Sequence, residues 1–228
     1  MKNNAEYTNQ FLRENPRGNW RTIFNFGSLS LSIIFLSTRL SNVTFWEWML
    51  LPVMMVVGNL AVYLIHRYPL HRYWKFYTFP YNEHTVKHHS AYQYHDLEIH
   101  SFKEICNIVF PPPVVLGFVV GYIPVVYFVS SLILSHNAAV MIVLGSAIYF
   151  MLYETMHTIS HVPEDHFLMK SSYLRFMRNH HRLHHHQRLM SKWNFNIVYP
   201  LFDWLTGCMV KELPEGIPAD NSKKKEIA

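Results

Sequence analysis

Charge is scarce in this chain. Asp, Glu, Lys and Arg make up 15% of its 228 residues, against about 25% in ordinary soluble domains, and the few charges leave long gaps between them. Cysteine is scarcer still. Cys106 and Cys208 are the only two, which excludes a disulfide framework and leaves too few thiolates for an iron–sulfur cluster, so free thiols are expected. No internal repeat, haem-attachment motif or basic stripe is present. The net charge of +5 therefore carries no argument for nucleic acid.

What replaces charge is apolar surface. Half of the residues are hydrophobic and 16% are aromatic, which points to an integral membrane protein. No charged residue occurs between Arg21 and Arg39 or between Glu47 and Arg67, and these gaps predict one span each. From Ile105 to Tyr153 the chain runs 49 residues without a charge; since a span needs about 20 residues, this stretch predicts two. They are placed at Val114–Leu134 and Ala138–Thr155, with Ser135, His136 and Asn137 as the turn and Gly121 with Pro124 as a competing turn.

Four spans put both termini on one side. Of the 20 Lys and Arg residues, only Arg39 then falls on the other side, so the positive-inside rule predicts a cytoplasmic location for the termini. The bacterial inner membrane and the endoplasmic reticulum both suit this reading, and the excess positive charge adds affinity for anionic headgroups. The polar first twenty residues precede the first apolar run without a cleavage site, so the first span is expected to stay as an anchor. The organisation expected is an N-terminal cytoplasmic segment (1–20), one membrane-embedded domain (21–208) and a polar tail (209–228), disordered around Lys223, Lys224 and Lys225. The fold class expected is an all-α membrane protein of four transmembrane helices under a cytoplasmic histidine-rich helical cap.

Ten histidines stand in four short clusters beside these apolar stretches: His66 and His71; His84, His88 and His89; His157 and His161; His181, His184 and His185. Neutral imidazole is the commonest ligand for iron, zinc and copper, and ten exceed what one tetrahedral site uses. Two ions are the simplest arithmetic. His157 and His161, like His84 and His88, are four apart and so share a helix face, while His181 stacks over His184 and His185. His66 and His71 are five apart, with Pro69 between them to break the helix and turn His71 back. Taken singly, each cluster has a plain alternative: an interfacial polar pair, or a solvated basic surface. Their coincidence on one side of the membrane favours a metal site.

These boxes, H-x4-H, H-x3-HH, H-x3-H and H-x2-HH in this order around a membrane hairpin, resemble those of the fatty acid hydroxylase and sterol desaturase superfamily of membrane di-iron oxygenases. The stretch NHHRLHHHQRLMSKWNFNIVYPLFDWLTG (Asn179 to Gly207) is similar to that family's end region, with Asn194 and Phe195 after the last box and Asp203 and Gly207 beyond; the resemblance covers roughly residues 55–208. The second box departs from the H-x2-HH of many hydroxylases, which opens the choice of its outer ligand. The last box can also be read from His180.

The resemblance implies two iron ions, replaceable by zinc in recombinant protein, with O2 as co-substrate and two electrons from a separate donor of cytochrome b5 or ferredoxin type. It implies hydroxylation of a C–H bond in a fatty acyl or sterol-like lipid, with no general base assigned. Desaturation or methyl oxidation of a sterol or carotenoid is the near alternative. A divalent-metal transporter is the alternative from another class, although it should carry polar ligands deep in its spans, where only Asn59 and a few small polar residues lie.

Around the ten ligands, His100, His180, Glu154, Asn194 and Asp203 are candidates for holding imidazole N–H groups. For His100 the alternative is a ligand role; for Glu154, which has the Glu-x-x-His spacing of soluble di-iron bundles to His157, it is an interfacial anchor; for Asp203 it is helix capping. His95, His136, His166 and His186 are expected to be structural or solvent-facing. Tyr68, Tyr73, Trp74, Phe76 and Tyr77 read as an interfacial belt and the lip of a lipid groove.

Overall fold

A computed structural model describes Arg13 and residues 19–219; Lys2, Arg17 and the tail lysines Lys223, Lys224 and Lys225 lie outside the described residues. Among the described residues the protein is all-helical, with a single antiparallel bridge between Gln93 and Asp96 and no strand.

Three helices are long and apolar enough to cross a membrane, Phe45–Leu70, Pro112–Ser131 and His136–Ser160, consistent with a membrane protein. The first starts on a capping box, in which the Thr44 hydroxyl accepts from the Glu47 N–H while the Glu47 carboxylate accepts from the Thr44 N–H, so both groups are satisfied at once. It continues as α2 (Leu50–Ile65) and ends in a π turn, His66–Leu70. The second begins on prolines, which suit a first helical turn, and comprises α3 (Pro112–Gly117), a π turn at Phe118–Tyr122 and α4 (Ile123–Ser131). The third is α5 (His136–Ser160), whose N-cap Ser135 accepts from the Ala138 N–H. The chain turns at Leu132–Ser135, so of the expected turn residues only Ser135 lies in it; His136 and Asn137 already belong to the first turn of α5, because Ser135 caps the helix. Gly121 does not turn it; the wider π turn absorbs Pro124, which lacks an N–H and crowds the preceding carbonyls.

The first expected span corresponds to α1 (Asn19–Ser37). Its 19 residues include Arg21, Asn25 and five serines or threonines, and it does not reach the apolarity of the other three. It packs against α5. The crossing helices differ sharply in burial: 61% of the α5 window is buried, against 17% for Phe45–Leu70 and 6% for Pro112–Ser131. So α5 is the central post, and the other two present side chains such as Val53, Val57, Val125, Phe128 and Val129 outward. Close packing of α2 on α5 depends on missing side chains, because a Cβ at Gly58 would collide with Tyr149 and one at Gly145 with Met54. Small residues at such crossings let helices approach closely.

Beyond the end of α5, the chain forms α6 (Ser172–His184) and the short α7 (Leu201–Leu205). Of these, α6 packs against α5 and α7 against α2.

Candidate metal centre

The histidines gather in two groups. His66, His71, His84, His89 and His184 form one group and His88, His157, His161, His181 and His185 a second, the ligand nitrogens within each lying within 4.8 Å of one another. All ten are buried. The groups adjoin: the His84 and His88 rings are 5.1 Å apart, and those of His89 and His185 stack at 4.1 Å.

Local backbone explains the partition. His157–His161 and His181–His185 are four apart at the C-terminal ends of α5 and α6, each pairing a residue of the last helical turn with the C-cap residue, and each pair stays within the second group. His66–His71 and His84–His89 are five apart, and each pair spans a π turn, His66–Leu70 or Asn82–His88. A π turn closes i to i+5, as the hydrogen bond from the His89 N–H to the His84 carbonyl shows, so residues five apart come onto one side. The sequence reading that paired His84 with His88, and stacked His181 over both His184 and His185, is corrected here. His84 and His88 serve different groups, and so do His181 and His184, because three residues of α-helix turn the side chain about 60° from the starting direction.

Backbone carbonyls fix the tautomers. His66 Nδ1 lies 2.5 Å from the Phe195 oxygen, His88 Nδ1 3.1 Å from Asn107, His161 Nδ1 2.7 Å from Leu97, His184 Nδ1 2.9 Å from Trp193 and His185 Nδ1 2.7 Å from Tyr92. A carbonyl only accepts, so each Nδ1 bears the proton and each Nε2 presents a lone pair. His71 is set the same way: Thr85 Oγ1 donates to the Leu70 carbonyl at 2.6 Å and so accepts from His71 Nδ1 at 3.1 Å.

This leaves two lone pairs facing each other, since His71 Nε2 and His184 Nε2 stand 2.9 Å apart. A cation between them would relieve that repulsion. A proton is disfavoured, because burial pushes both imidazoles well below the ordinary histidine range. The same cause, reinforced by neighbouring imidazoles, lowers His84, His89, His161, His181 and His185, and brings His88 down to about 3. A metal ion fits better. Other close pairs are His66–His84 at 2.9 Å, His84–His89 at 3.2 Å, His161–His181 at 3.1 Å and His181–His185 at 2.9 Å, all between Nε2 atoms. Two nitrogens bound at right angles to an ion at about 2.1 Å lie about 3.0 Å apart. Among the described residues His88 Nε2 is buried without a partner, and His157 comes only loosely to the Ile108 carbonyl, with neither ring nitrogen making a regular hydrogen bond. Neither group contains a carboxylate or thiolate.

The surrounding residues divide. Asp203 is fully buried and accepts from His180 Nε2 at 3.0 Å, the Phe195 N–H at 2.8 Å and the Asn196 N–H at 2.7 Å, so it fixes the strip whose Phe195 carbonyl holds His66. Asn194, at φ +58°, ties its side chain to the His180 and Val210 carbonyls. His180 lies outside both groups, one residue and about 100° round α6 from His181. His100 is exposed, and its N–H donates to Glu104, away from the centre. Glu154 meets no histidine either: it accepts from Asn25 Nδ2 at 2.9 Å and the Phe110 N–H at 3.1 Å, locking α1 to α5. His136 bonds Tyr127 and the Arg39 carbonyl, His166 caps the Leu168 N–H, His186 meets the Pro218 carbonyl, and His95 is exposed.

Sequence reasoning missed Thr85 and Asn196. Asn196 is fully buried, accepts from the Phe202 and Asp203 N–H groups and donates to the Asn59 carbonyl; the repeated asparagine of Asn194-Phe195-Asn196 is the signal that could have found it. Cys106 and Cys208 are free and buried.

Below the centre lies a cavity of about 280 Å³ whose wall includes His84, His88 and His157, with Arg21, Tyr77 and Glu83 at its edge. A second, almost wholly apolar cavity of about 310 Å³ runs along α2, α5 and the Phe118–Tyr122 turn. Ile65, Leu70, Phe110, Val114 and Tyr153 line both.

The chain matches no family model, no curated protein and no solved structure.

Proposed function

We propose that this protein is a membrane di-iron oxygenase that hydroxylates a lipid C–H bond. One observation carries the reading: two adjoining, carboxylate-free groups of five buried imidazoles lie beside a cavity whose wall includes His84, His88 and His157 together with residues of membrane-length helices. His66, His71, His84, His89 and His184 would hold one ion and the other five the second. Imidazole suits iron as well as zinc or copper, and the resemblance of the histidine boxes favours iron. Bound iron supplies activation of O2 for oxidation of an unactivated C–H bond.

The chain's own part is to bind and exclude. The loop carbonyls hold the ligand nitrogens inward, the apolar cavity wall keeps water from the reacting carbon, and the cavity along α2, α5 and the Phe118–Tyr122 turn takes the lipid tail. The balance is C–H + O2 + two electrons + two protons to C–OH + H2O. The electrons come from a separate protein, of cytochrome b5 or ferredoxin type, because two buried cysteines far apart in sequence supply no redox centre. Removing a second hydrogen instead of returning oxygen gives the desaturase alternative at the same site.

In this reading α1 is the fourth span and the histidine groups face the cytoplasm, with 19 of the 20 basic residues on that side. Reporters fused near Val86 and after Gly207 then give a cytoplasmic signal and one at Asn42 the opposite. Opposite signals at Val86 and Gly207 would separate the boxes by the ~30 Å of hydrocarbon and end the proposal. The direct test is lipid mass spectrometry of cells with and without the gene, followed by iron-loaded protein with reductant and O2. The expected result is a lipid gaining one oxygen; no gain of oxygen or loss of hydrogen in any lipid fraction overturns it.

A further inference from the structure

The neck between the two cavities contains a polar atom that the metal chemistry does not use. Tyr153 is 3% exposed, lines both cavities, stacks its ring on Phe110 at 5.2 Å and lies 5.6 Å from the His157 ring. Its hydroxyl makes no hydrogen bond to any described residue. The neighbouring tyrosines of the bundle are satisfied: Tyr149 accepts from Asn59, Tyr199 donates to the Met55 carbonyl, Tyr63 donates to Thr206 and Tyr173 to the Val198 carbonyl. Phenylalanine would pack at position 153 equally well, whereas the hydroxyl, without a partner among the described residues and beside two cavities, is available to donate to a bound molecule.

The second cavity says what passes the neck. Between Met54 and Ile65 it follows α2 for roughly 16 Å at 1.5 Å per residue, about half the ~30 Å hydrocarbon core. Its side on α2 includes the half-exposed Val57 and Ile65, so it opens toward lipid. That is room for one tail lying in one leaflet.

Resting on the functional reading above, we propose that Tyr153 is a substrate-binding residue whose hydroxyl hydrogen-bonds an oxygen of the lipid itself, an alcohol, carbonyl or carboxyl group, while the tail lies in the α2–α5 cavity. The substrate is then a lipid already oxygenated close to the carbon attacked, and oxidation falls near its polar end, not at the far methyl. A bare hydrocarbon lacks the contact that sets this register.

The test needs neither metal nor turnover. A long-chain fatty alcohol with a diazirine near its methyl end, and the matching diazirine alkane, are photolysed with the full-length protein in detergent, and labelled residues are mapped by mass spectrometry. The alcohol is expected to label Val57, Ala61 and Phe118 in the wild type about tenfold more than the alkane does, the scale of one hydrogen bond in an apolar site. Tyr153→Phe should reduce alcohol labelling to the alkane's level and leave the alkane's unchanged, with the melting temperature preserved by the retained ring. Equal labelling by both probes in the wild type overturns the inference, even if the variant fails to fold; so does undiminished alcohol labelling in a folded variant. A protein that labels as expected yet never oxidises a lipid loses the proposed function but keeps the subsite, whereas one that hydroxylates lipids with Tyr153→Phe indifferent loses only the subsite.

Discussion

The two histidine groups reach the same end by different backbone means. The second rests on pairs four apart at the C-terminal ends of two regular helices, α5 and α6, with His88 added from the second π turn. The first rests on two pairs five apart, each spanning a π turn, with His184 added from α6. Their supports differ too. Carbonyls of Tyr92 and Leu97 hold His185 and His161, whereas Trp193 and Phe195, on a strip organised by buried Asp203, hold His184 and His66. Regular helix makes a ligand pair by itself; a π turn makes one only where its surroundings stabilise the wider coil.

The largest effects should come from removing one ligand from each group. His161→Ala and His71→Ala are each expected to abolish the proposed lipid oxidation while lowering bound metal from about two ions per chain to about one, because each ion would be held by a separate set of five. Elemental analysis of protein reconstituted anaerobically with iron checks this. Complete metal loss in either variant would show that the groups do not load independently.

Acid should act on both groups together. In the unfolded chain a histidine takes up its proton near pH 6.5, whereas burial in the folded protein holds the imidazoles below that, His88 down to about 3. Between these values the unfolded state binds more protons. Stability of the metal-free protein is therefore fully present above about pH 6.5 and falls as the pH drops, by up to ~1.4 kcal/mol per pH unit for each such histidine. Thermal melts of chelator-treated protein from pH 8 to pH 4 measure it; a flat profile would contradict the buried neutral imidazoles.

Asp203→Asn should separate the groups. The amide cannot accept all three hydrogen bonds that the carboxylate now takes, which costs about 3 kcal/mol of stability. Metal affinity is expected to fall about 10- to 100-fold at the first group and to stay unchanged at the second, read by competition with a chelator. Equal weakening at both sites would mean that the Phe195 strip supports both groups.

The smallest effects belong to histidines outside the groups. His136→Ala and His166→Ala remove contacts at the surface only and should keep metal content and lipid oxidation within about twofold of wild type, since surface changes rarely exceed ~0.5 kcal/mol.

The ten clustered histidines, the membrane character and a break between two apolar helices close to Ser135 were legible in the sequence, because charge gaps and ligand types are properties of composition and spacing; that His136 and Asn137 join the helix was not. The α-helical pairs were legible for the same reason, since four residues make about one turn. The partition into two fives was not. It depends on π turns near Pro69 and Pro80, and a proline announces a disturbance without saying what form it takes. Nor did Glu154 reveal its partner. Its spacing to His157 suggested the metal, but the carboxylate faces Asn25 and the Phe110 N–H, contacts that exist only once α1 is packed on α5.

What the sequence determined by itself is thus a chemistry and a setting: imidazole-rich, carboxylate-poor clusters flanking apolar stretches. Tertiary structure decided which imidazoles gather in one group, which nitrogen each presents, and that Tyr153 lines two cavities. Those outcomes turn on loop carbonyls far away in the chain, such as Leu97 for His161 and Phe195 for His66. A hydrogen bond across 64 or 129 residues leaves no local pattern to read, because the acceptor is a backbone atom that every residue carries.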